Sequence, residues 1–447
     1  MNMYRNSLPL LQARRLLRGG LLFALLNSPA LADGFRVSSF DRQGNIGWTN
    51  AFARGVCTIE AAAALTQAGV PAWQPQRNYF TTNSAGQGQL LPGLTNHFFR
   101  LLAVDVSTNT PAGYANLLVS FGRLHTIAGN GFGGTDGINY WQPGFEGDYA
   151  TNVALSRPHL AMADDAGIVF IVDKDSHSVL KVTPDGRIHT VAGNHTPGDA
   201  PDYPTNALAV QLNQPNGIWV RGDGTVYILD TGNGKIRRLD TNGVMSTLLT
   251  APNGISTGRG VWVKDDESLA YFSSGTDLRR WTPAGGIKTL NNNFNELGNL
   301  AIDPSGDVIA TDRGANKVYL VDATGGSTGS RKVLFGDGDT DTVVDGTPAK
   351  TSSLYGVRGV WLVPTGGYLL ATHEGSQVLY VDPAGILHIF VDGLPTGIHS
   401  GDGQWFHSAG PKVSEVRAVS MDNKGNILIT ENDYGYVRRI DFNRLVP

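Results

Sequence analysis

Residues 212–248 constrain the fold more than any other part of the chain. They hold four short apolar runs, separated by turns rich in Gly, Asn and Asp: Ile218–Val220, Val226–Leu229, Ile236–Leu239 and Val244–Leu248. Short runs rich in Val, Ile, Tyr and Trp with such boundaries predict strands joined by hairpins. The segment is therefore predicted to be a four-stranded antiparallel meander. Alone it would expose both faces of its sheet, so it needs copies of itself to pack against.

The same unit recurs along most of the chain. Six copies begin at Pro158, Pro215, Gly258, Gly298, Val357 and Val416. Two strings are characteristic: DTGNGKIRRL at 230–239 and TVAG at 190–193. These units resemble NHL repeats, and the resemblance covers roughly residues 121–443. It implies an all-β protein with a six-bladed β-propeller of four-stranded antiparallel blades.

The two ends of the repeat region predict how the ring closes. The sixth copy stops near Phe442 and has no fourth strand, whereas the string at 123–129 nearly duplicates the string at 187–193. We expect the earlier string to supply the outer strand of the last blade, which leaves no open edge between the chain ends. Residues 106–120 are interpreted as a linker. Because Tyr114–Ser120 also resembles a third strand, an extra strand or partial seventh blade is left open.

The N-terminal region differs from the repeats. Residues 1–32 combine four arginines, a short apolar run at 21–26 and a small-residue cleavage site at Ala30–Ala32, which predicts a signal peptide. No later stretch is long enough to span a bilayer. We therefore expect export of a soluble protein to the periplasm or the medium. Residues 33–105, with Trp48, Val56–Glu60 and Trp73, resemble fibronectin-type modules and imply a small β-sandwich.

Composition narrows the function classes. Fifty-seven glycines and 22 prolines suit an all-β chain with many turns. Cys57 is the single cysteine, so there is no intrachain disulfide and no cysteine-rich zinc site. Removal of residues 1–32 leaves 31 basic and 39 acidic residues, a net charge of −8, which argues against nucleic acid as the main partner.

One position of the repeat varies in an informative way. It precedes the glycine of the first strand, where the predicted channel opens, and its occupants are His159, Asn216, Arg259, Gly298, Arg358 and Arg417. If the copies form one ring, three arginines, a histidine and an asparagine surround one channel mouth. Arginine forks bind carboxylates and similar anions bidentately. We therefore predict a binding site for an anionic ligand at this mouth.

A second ring of charged residues follows the second strands. Its members are Asp173, Asp230, Asp312, His373, Glu374 and Glu431. We expect these acids to pair with the first ring as inter-blade salt bridges, because structural ion pairs are common. Trp141 and Trp405 lie in long loops before blades one and six, which are ring neighbours. These loops are predicted to form a platform for a sugar or peptide, or else a packed lid.

Acidic loops offer a further alternative. Asp148, Asp199 and Asp402 stand in Gly-Asp turns, where side-chain hydrogen bonds to the local backbone are the expected role. The loop at 337–341 has alternating aspartates suited to calcium, but it lacks the glycine and glutamate of an EF-hand loop. We favour a solvated acidic loop and keep calcium or another divalent ion as the alternative.

The sequence supports a binding or scaffold function. It contains no recognisable nucleophile triad, HExxH string or phosphate loop. The predicted partner of a monomeric protein is another protein, a glycan or a small anionic ligand, and no catalytic or metal-ligating residue is assigned.

The alternative is a metal-dependent enzyme, because six-bladed relatives include gluconolactonase-like hydrolases and amidating lyases. A gluconolactonase-like site needs carboxylate and asparagine ligands for its metal ion. In this chain such residues are expected to lie only beside the arginines, which would repel a cation. The second needs several converging histidines, and His159 and His373 are the only candidates.

Overall fold

The computed structural model describes residues 34–41, 43–63, 73–92, 94, 97–107, 113–323, 330–394, 397 and 399–443. The predicted signal peptide, residues 1–32, lies outside the described residues. The chain forms two compact units. The first comprises the residues up to Asp105 together with those from Asn443, and the second comprises Val106–Phe442.

The first unit contains two antiparallel sheets. Its strands are β1 (Arg36–Phe40), β2 (Asn45–Thr49), β3 (Gly55–Ala62), β4 (Gln74–Thr81), β5 (Gly86–Gln89) and β6 (Phe98–Asp105). The strand orders are β1-β2-β5 and β4-β3-β6. Side chains of both sheets share one buried cluster, which includes Trp48 and Ile59. Cys57 belongs to this cluster, and burial raises the pKa of its thiol, so it packs as an inert apolar side chain.

The second unit begins with one short helix and continues almost entirely as strands. Its elements start with α1 (Gly113–Leu118), β7 (Leu124–Ala128), β8 (Pro158–Ala163), β9 (Val169–Asp173), β10 (Ser178–Val182), β11 (Ile188–Ala192), β12 (Thr205–Asn206), β13 (Pro215–Val220), β14 (Val226–Asp230), β15 (Lys235–Leu239) and β16 (Val244–Thr250). They continue with β17 (Val261–Val263), β18 (Ala270–Ser274), β19 (Asp277–Thr282), β20 (Gly286–Asn291), β21 (Leu297–Ile302), β22 (Val308–Asp312), β23 (Lys317–Val321) and β24 (Arg331–Phe335). The last are β25 (Thr347–Pro348), β26 (Val357–Leu362), β27 (Tyr368–Thr372), β28 (Gln377–Val381), β29 (Ile386–Val391), β30 (Val416–Met421), β31 (Ile427–Glu431) and β32 (Tyr436–Ile440). Short 3₁₀ turns lie at Pro143–Phe145, Ala150–Asn152, Lys174–Ser176, Ala207–Ala209, Thr231–Asn233, Arg313–Ala315 and Ala349–Thr351.

These strands form six antiparallel sheets within the described residues. We number them along the chain: sheet 1 is β8–β11, sheet 2 is β12–β16, sheet 3 is β17–β20, sheet 4 is β21–β24, sheet 5 is β25–β29, and sheet 6 is β30–β32 with β7. The first strands β8, β13, β17, β21, β26 and β30 contact one another in this cyclic order, and β30 returns to β8. Buried apolar clusters join consecutive sheets, as for sheets 1 and 2. The second unit is therefore a β-propeller, with the first strands innermost.

The ring closes as the duplicated string predicts. Strand β7 pairs antiparallel with β32, from Leu124 opposite Ile440 to Ala128 opposite Val437. Sheet 6 thus takes its outer strand from the N-terminal side of the propeller. This pairing covers an edge of β32 that would otherwise expose unpaired backbone groups.

The suggestion of an additional strand at Tyr114–Ser120 is wrong, because these residues begin with helix α1. Gly113 and Leu117 are its buried residues, and their spacing of four places them on one helical face. The Tyr114 ring stacks on His388 with centroids 3.8 Å apart, and its hydroxyl donates a hydrogen bond to the Ile389 carbonyl. This segment therefore attaches to sheet 5 through a side chain rather than through a strand ladder.

No helix in the described parts of the chain has both the length and the apolar character needed to cross a membrane.

Candidate functional site

The structure places the predicted mouth residues at matching points of the inner strands. His159, Asn216, Arg358 and Arg417 are each the second residue of a first strand, and the register shifts at that residue in every case. Such a bulge inserts one unpaired residue and redirects its side chain. Arg259 lies just before β17, where its amide N–H donates to Ser273 Oγ at 2.7 Å. The repeat geometry therefore brings a polar side chain to the channel mouth from five sheets, whereas sheet 4 has Gly298 at this position.

A cavity of about 300 Å³ occupies this mouth. Its lining residues are Asp136, Arg157, His159, Lys174, Gln214, Asn216, Thr231, Thr257, Arg259 and Arg417. Four of them are permanently or usually cationic at neutral pH, and Asp136 is the single acid. The lining is therefore strongly positive, and the cavity suits an anion.

The arginines of the mouth are buried but incompletely hydrogen-bonded. Arg358 and Arg417 are 4% and 6% exposed. The Nε and Nη1 atoms of Arg259 and Arg358, and Nε of Arg417, have no hydrogen-bond partner in the described residues. Burial, followed by repulsion between the guanidinium groups, lowers the pKa of Arg358 to about 9 and also lowers the pKa of Arg417. A buried donor without an acceptor is costly, so these groups favour a ligand that supplies acceptors.

His159 is electrically neutral at physiological pH. Burial, reinforced by the positive charge of Arg417, holds its pKa well below the ordinary value. Its Nδ1 contacts Asn216 Oδ1, and its Nε2 has no hydrogen-bond partner in the described residues. Neutral imidazole presents one donor and one acceptor nitrogen. If Nδ1 donates to Asn216, then Nε2 is an acceptor toward the cavity.

Two acids partly balance the arginines: Glu374, which belongs to the predicted second ring, and Glu296, which sequence reasoning missed. Glu296 lies 2.7 Å from Arg259 Nη2, 2.6 Å from Arg313 Nη1 and 4.0 Å from Arg358 Nη2. Although burial acts in the opposite direction, Arg259 and its neighbours hold the pKa of Glu296 below its usual value. Glu374 contacts Arg313 and lies 3.3 Å from His373 Nδ1. Because two carboxylates are shared among three guanidinium groups, positive charge remains in excess.

Sequence reasoning missed a second set of mouth residues. Arg157, Gln214, Thr257 and Glu415 each precede a first strand and have left-handed φ angles of 65°, 47°, 41° and 47°. Non-glycine residues in this region cost free energy and often mark functional sites. The sequence signal was Gly356, which holds the same place in the fifth copy with φ of 69°. A glycine there indicates that the backbone is left-handed.

An acidic cluster lies beside the arginines. Ligand atoms of His373, Glu415 and Asp433 lie within 4.8 Å of one another, a spacing that could hold a metal ion. A hydrogen bond to Asp433, together with burial, raises the pKa of Glu415 to about 7. However, Asp433 Oδ1 also lies 2.7 Å from Arg157 Nη2. This guanidinium repels a cation, so the cluster is a weaker candidate for a ligand site than the arginines.

The predicted pairing between the two charged rings is wrong for four members of the second ring. Asp173, Asp230, Asp312 and Glu431 instead accept backbone N–H groups from the loops that enter their own sheets. The distances are 2.9, 2.9, 3.0 and 2.9 Å. These acids anchor the loops, because a buried carboxylate takes the nearest available donors. Two members of this ring approach the mouth: Glu374 contacts Arg313, and His373 lies 3.3 Å from Glu374.

The two predicted aromatic residues lie apart from the arginines. Trp141 stacks on His195 with centroids 4.6 Å apart, and His195 contacts Thr190 of the outer strand β11. Trp405 pairs through its backbone with Arg123, next to the outer strand β7. Neither tryptophan lines the channel-mouth cavity. A platform formed by these two tryptophans would therefore lie near the outer strands of sheets 1 and 6, away from the channel mouth.

Of the Gly-Asp loops, Asp148 makes the expected hydrogen bond to the local backbone, whereas Asp199 and Asp402 contact arginine side chains. Asp199 contacts Arg237 and Asp402 contacts Arg438, and both arginine side chains are fully buried. Asp148 Oδ1 accepts the Tyr149 N–H at 2.6 Å. In the acidic loop at 337–341, Asp337 Oδ1 accepts the Asp339 N–H at 2.9 Å, which is a turn-stabilising contact.

Comparison with known proteins supports the fold and leaves the family open. No protein-family model matches the chain. Teneurin-1 of Mus musculus is 25% identical over 331 residues, which cover 69% of this chain and 11% of teneurin-1. Human teneurin-1 is 24% identical over the same length. The chain thus spans about a tenth of the length of these curated relatives.

Solved structures resemble the chain over most of its length. A structural genomics protein of unknown function from Bacteroides thetaiotaomicron has a TM-score of 0.58 at 12% identity, covering 93% of this chain and 99% of that chain. An auxiliary nutrient binding protein from the same organism has a TM-score of 0.53 at 13% identity, covering 92% and 98%. At these identities the likeness supports the all-β propeller fold alone.

Proposed function

We propose that this chain is an exported binding protein that holds a small anionic ligand at the mouth of its propeller channel. His159, Asn216, Arg259 and Arg417 line the site, and Arg358 lies next to Arg259 across Glu296. The unpartnered guanidinium nitrogens are the observation that carries the proposal. A carboxylate, sulfate or similar group would give these buried donors acceptors in bidentate geometry. The cavity of about 300 Å³ lies at the small end of ligand pockets, so the ligand is small.

The finer architecture belongs to the same proposal. Residues 1–32 are a signal peptide, 33–105 a fibronectin-type-like sandwich, 106–120 a linker, and 121–443 a six-bladed NHL-repeat propeller that acts as a monomer. The repeated strings, the six sheets and the cyclic contacts of the inner strands support the propeller part. The similarity to proteins described as auxiliary nutrient binding proteins agrees with a binding role.

Thermal shift measurements and calorimetry against sulfate, mono- and dicarboxylates and sugar acids test the ligand site. A ligand present at about 100 times its Kd stabilises the native state by about 3 kcal/mol. The variant Arg358→Gln/Arg417→Gln should lose this effect, whereas Arg439→Gln, which alters a 39% exposed arginine paired with Asp441, should retain it. No stabilisation by any anion, or equal stabilisation of the double variant, contradicts the proposal.

A metal-dependent enzyme is the second candidate, and the His373, Glu415 and Asp433 cluster is the observation that favours it. Elemental analysis of the purified chain after dialysis with and without added zinc, calcium or magnesium separates the two functions. Near-stoichiometric metal that disappears in the His373→Ala variant would favour the enzyme. Metal-free protein that still binds anions would favour the binding protein, in which Arg157 neutralises Asp433.

A further inference from the structure

Three sheets of the propeller protect their outer strands in the same way. In sheets 1, 5 and 6 the loop that enters the sheet lies along the free edge of the outer strand, which is β11, β29 or β7 respectively. We call this contact the edge clasp and define it as residues 146–150, 345–349 and 402–406. Such covering is a common means of blocking an exposed strand edge.

Each edge clasp begins with an acid that binds the strand backbone. Its carboxylate accepts the N–H of a residue in the outer strand, which is the third residue of β11 and β7 and the fourth residue of β29: Glu146 from Thr190 at 3.0 Å, Asp402 from Thr126 at 3.1 Å, and Asp345 from Ile389 at 2.7 Å. In sheet 6 the same acid also contacts Arg438, which stands opposite Thr126 in the ladder. In sheet 6, Asp402 thus bridges an edge N–H group and a guanidinium group.

Each edge clasp ends four residues later with a buried residue. Its N–H donates to the carbonyl of a glycine one or two residues before the outer strand: Ala150 to Gly186 at 2.9 Å, Ala349 to Gly385 at 2.8 Å, and Phe406 to Gly122 at 3.1 Å. These three side chains are at most 1% exposed. An acid followed four residues later by a buried apolar residue is therefore the pattern that fits the outer edge in these three sheets.

Sheet 3 has the receiving groups but no edge clasp. Its outer strand β20 places Thr289 opposite Arg279, the same register as Thr126 opposite Arg438. The loop that enters sheet 3, residues 251–260, is short and contains no acid. In the described parts of the chain, the outer edge of β20 pairs with no other strand, and no backbone N–H donates to the Gly285 carbonyl.

A cavity marks the place where the clasp would lie. It has a volume of about 440 Å³ and is lined in part by Thr250, Arg279, Trp281, Ile287 and Thr289. Arg279 is held by Asp277 of its own strand at 3.3 Å and by a backbone carbonyl at 2.8 Å. Unlike Arg438, it receives no carboxylate from an entering loop within the described residues. The neighbouring Lys288 is exposed and adds positive charge to this edge.

We propose that the free edge of β20 is a docking site for an extended segment of a partner protein that carries Asp or Glu followed four residues later by a small apolar residue. The segment adds to the sheet as a strand, its carboxylate accepts the Thr289 N–H and pairs with Arg279, and its small residue enters the cavity. Strand addition of this kind takes affinity from main-chain hydrogen bonds and specificity from side-chain pockets. This site is separate from the channel mouth and does not depend on the function proposed for it.

The chain itself supplies a probe. A fluorescein-labelled peptide with the sequence of residues 344–351, VDGTPAKT, is titrated with the full chain while fluorescence anisotropy is measured. We expect saturable binding with a Kd below about 1 mM, weakened about tenfold or more by Arg279→Gln or by an asparagine in place of the peptide aspartate. Lys332→Ala, a change at an exposed position of the outer strand of sheet 4, is the matched control and should leave the Kd unchanged.

Hydrogen exchange locates the contact. Peptide binding should slow exchange at residues 286–290, and Thr289→Pro, which removes the N–H at an edge position where proline is tolerated, should abolish binding. Circular dichroism verifies that this variant folds, and Arg279→Gln provides the same test if it does not. Three results overturn the proposal: no binding, or an unchanged Kd in the Arg279 variant, or slowed exchange only at β29. The last result would mean that the peptide replaces the native clasp of sheet 5.

Discussion

The pH dependence of stability should report the ionisation of Asp173, a fully buried carboxyl at the end of β9. Burial raises its pKa to about 7, although the Ser156 N–H partly opposes this. Sheets 2 and 6 have Arg237 and Arg438 on their third strands, but the register of sheet 1 places Leu180 there. The Asp173 carboxylate therefore ionises without a guanidinium partner, and ionisation opposes folding.

The sign and size of the effect follow from the two pKa values. Because the folded pKa lies above the unfolded value of about 3.9, the folded protein binds more protons, and stability is lost as pH rises from about 4 to 7. A gap of about three units corresponds to about 4 kcal/mol above pH 7. About 1.5 kcal/mol of this is already lost at pH 5, so the change between pH 5 and pH 8 is about 2–3 kcal/mol.

Urea unfolding at pH 5 and pH 8 measures this difference in the wild type and in Asp173→Asn. Asparagine keeps an acceptor for the Ser156 N–H and does not ionise, so the variant should lose about 2–3 kcal/mol of the pH dependence. Asp266→Asn is the matched control. A hydrogen bond from Lys264 lowers the pKa of this exposed carboxyl, so it is ionised at both pH values and the variant should keep the wild-type pH dependence. Equal pH dependence in the wild type and Asp173→Asn would refute the reasoning.

Three further changes test other parts of the structure. Arg438→Ala leaves two carboxylates without their buried guanidinium partner and should cost about 3–5 kcal/mol in urea unfolding; a cost below about 1 kcal/mol would contradict the described network. Gly217→Ala forces a Cβ into a backbone carbonyl of the next sheet and should lower Tm by several degrees, whereas Gly144→Ala, with open space around it, should not. A hydrogen bond to Asp433 raises the pKa of Glu415 to about 7, so Glu415 becomes charged between pH 6 and pH 8 and anion affinity should fall over this range. Glu415→Gln should flatten the affinity profile measured by calorimetry. An unchanged slope would exclude this carboxyl as the cause.

Local sequence patterns predicted much of the propeller. Each meander is a local structure, and turn residues such as Gly222–Gly224 and Asn242–Gly243 mark its hairpins. The closing strand was also predictable, because Arg123–Gly129 repeats a string found elsewhere. Tyr114–Ser120 was ambiguous because its apolar pattern suits either a strand or a short helix. The packing of Tyr114 on His388, 274 positions away, decides between them and is invisible to local patterns.

The candidate site was only half predictable. Alignment of the copies found Arg259, Arg358 and Arg417, because they occupy the same repeat position, which is a bulge at Arg358 and Arg417. Their partners Glu296 and Arg313 come from positions outside that alignment. Which acid meets which base depends on side-chain reach and on competing backbone donors. Sequence spacing does not contain that information.

The pairing of β7 with β32 has a consequence for how the propeller comes into being. Leu124 is made early and Ile440 late, so sheet 6 assembles only after nearly the whole chain has been synthesised. Contacts between such distant residues carry a large loop-closure cost and form slowly. Until then the first and last strands are both available for mispairing with other molecules.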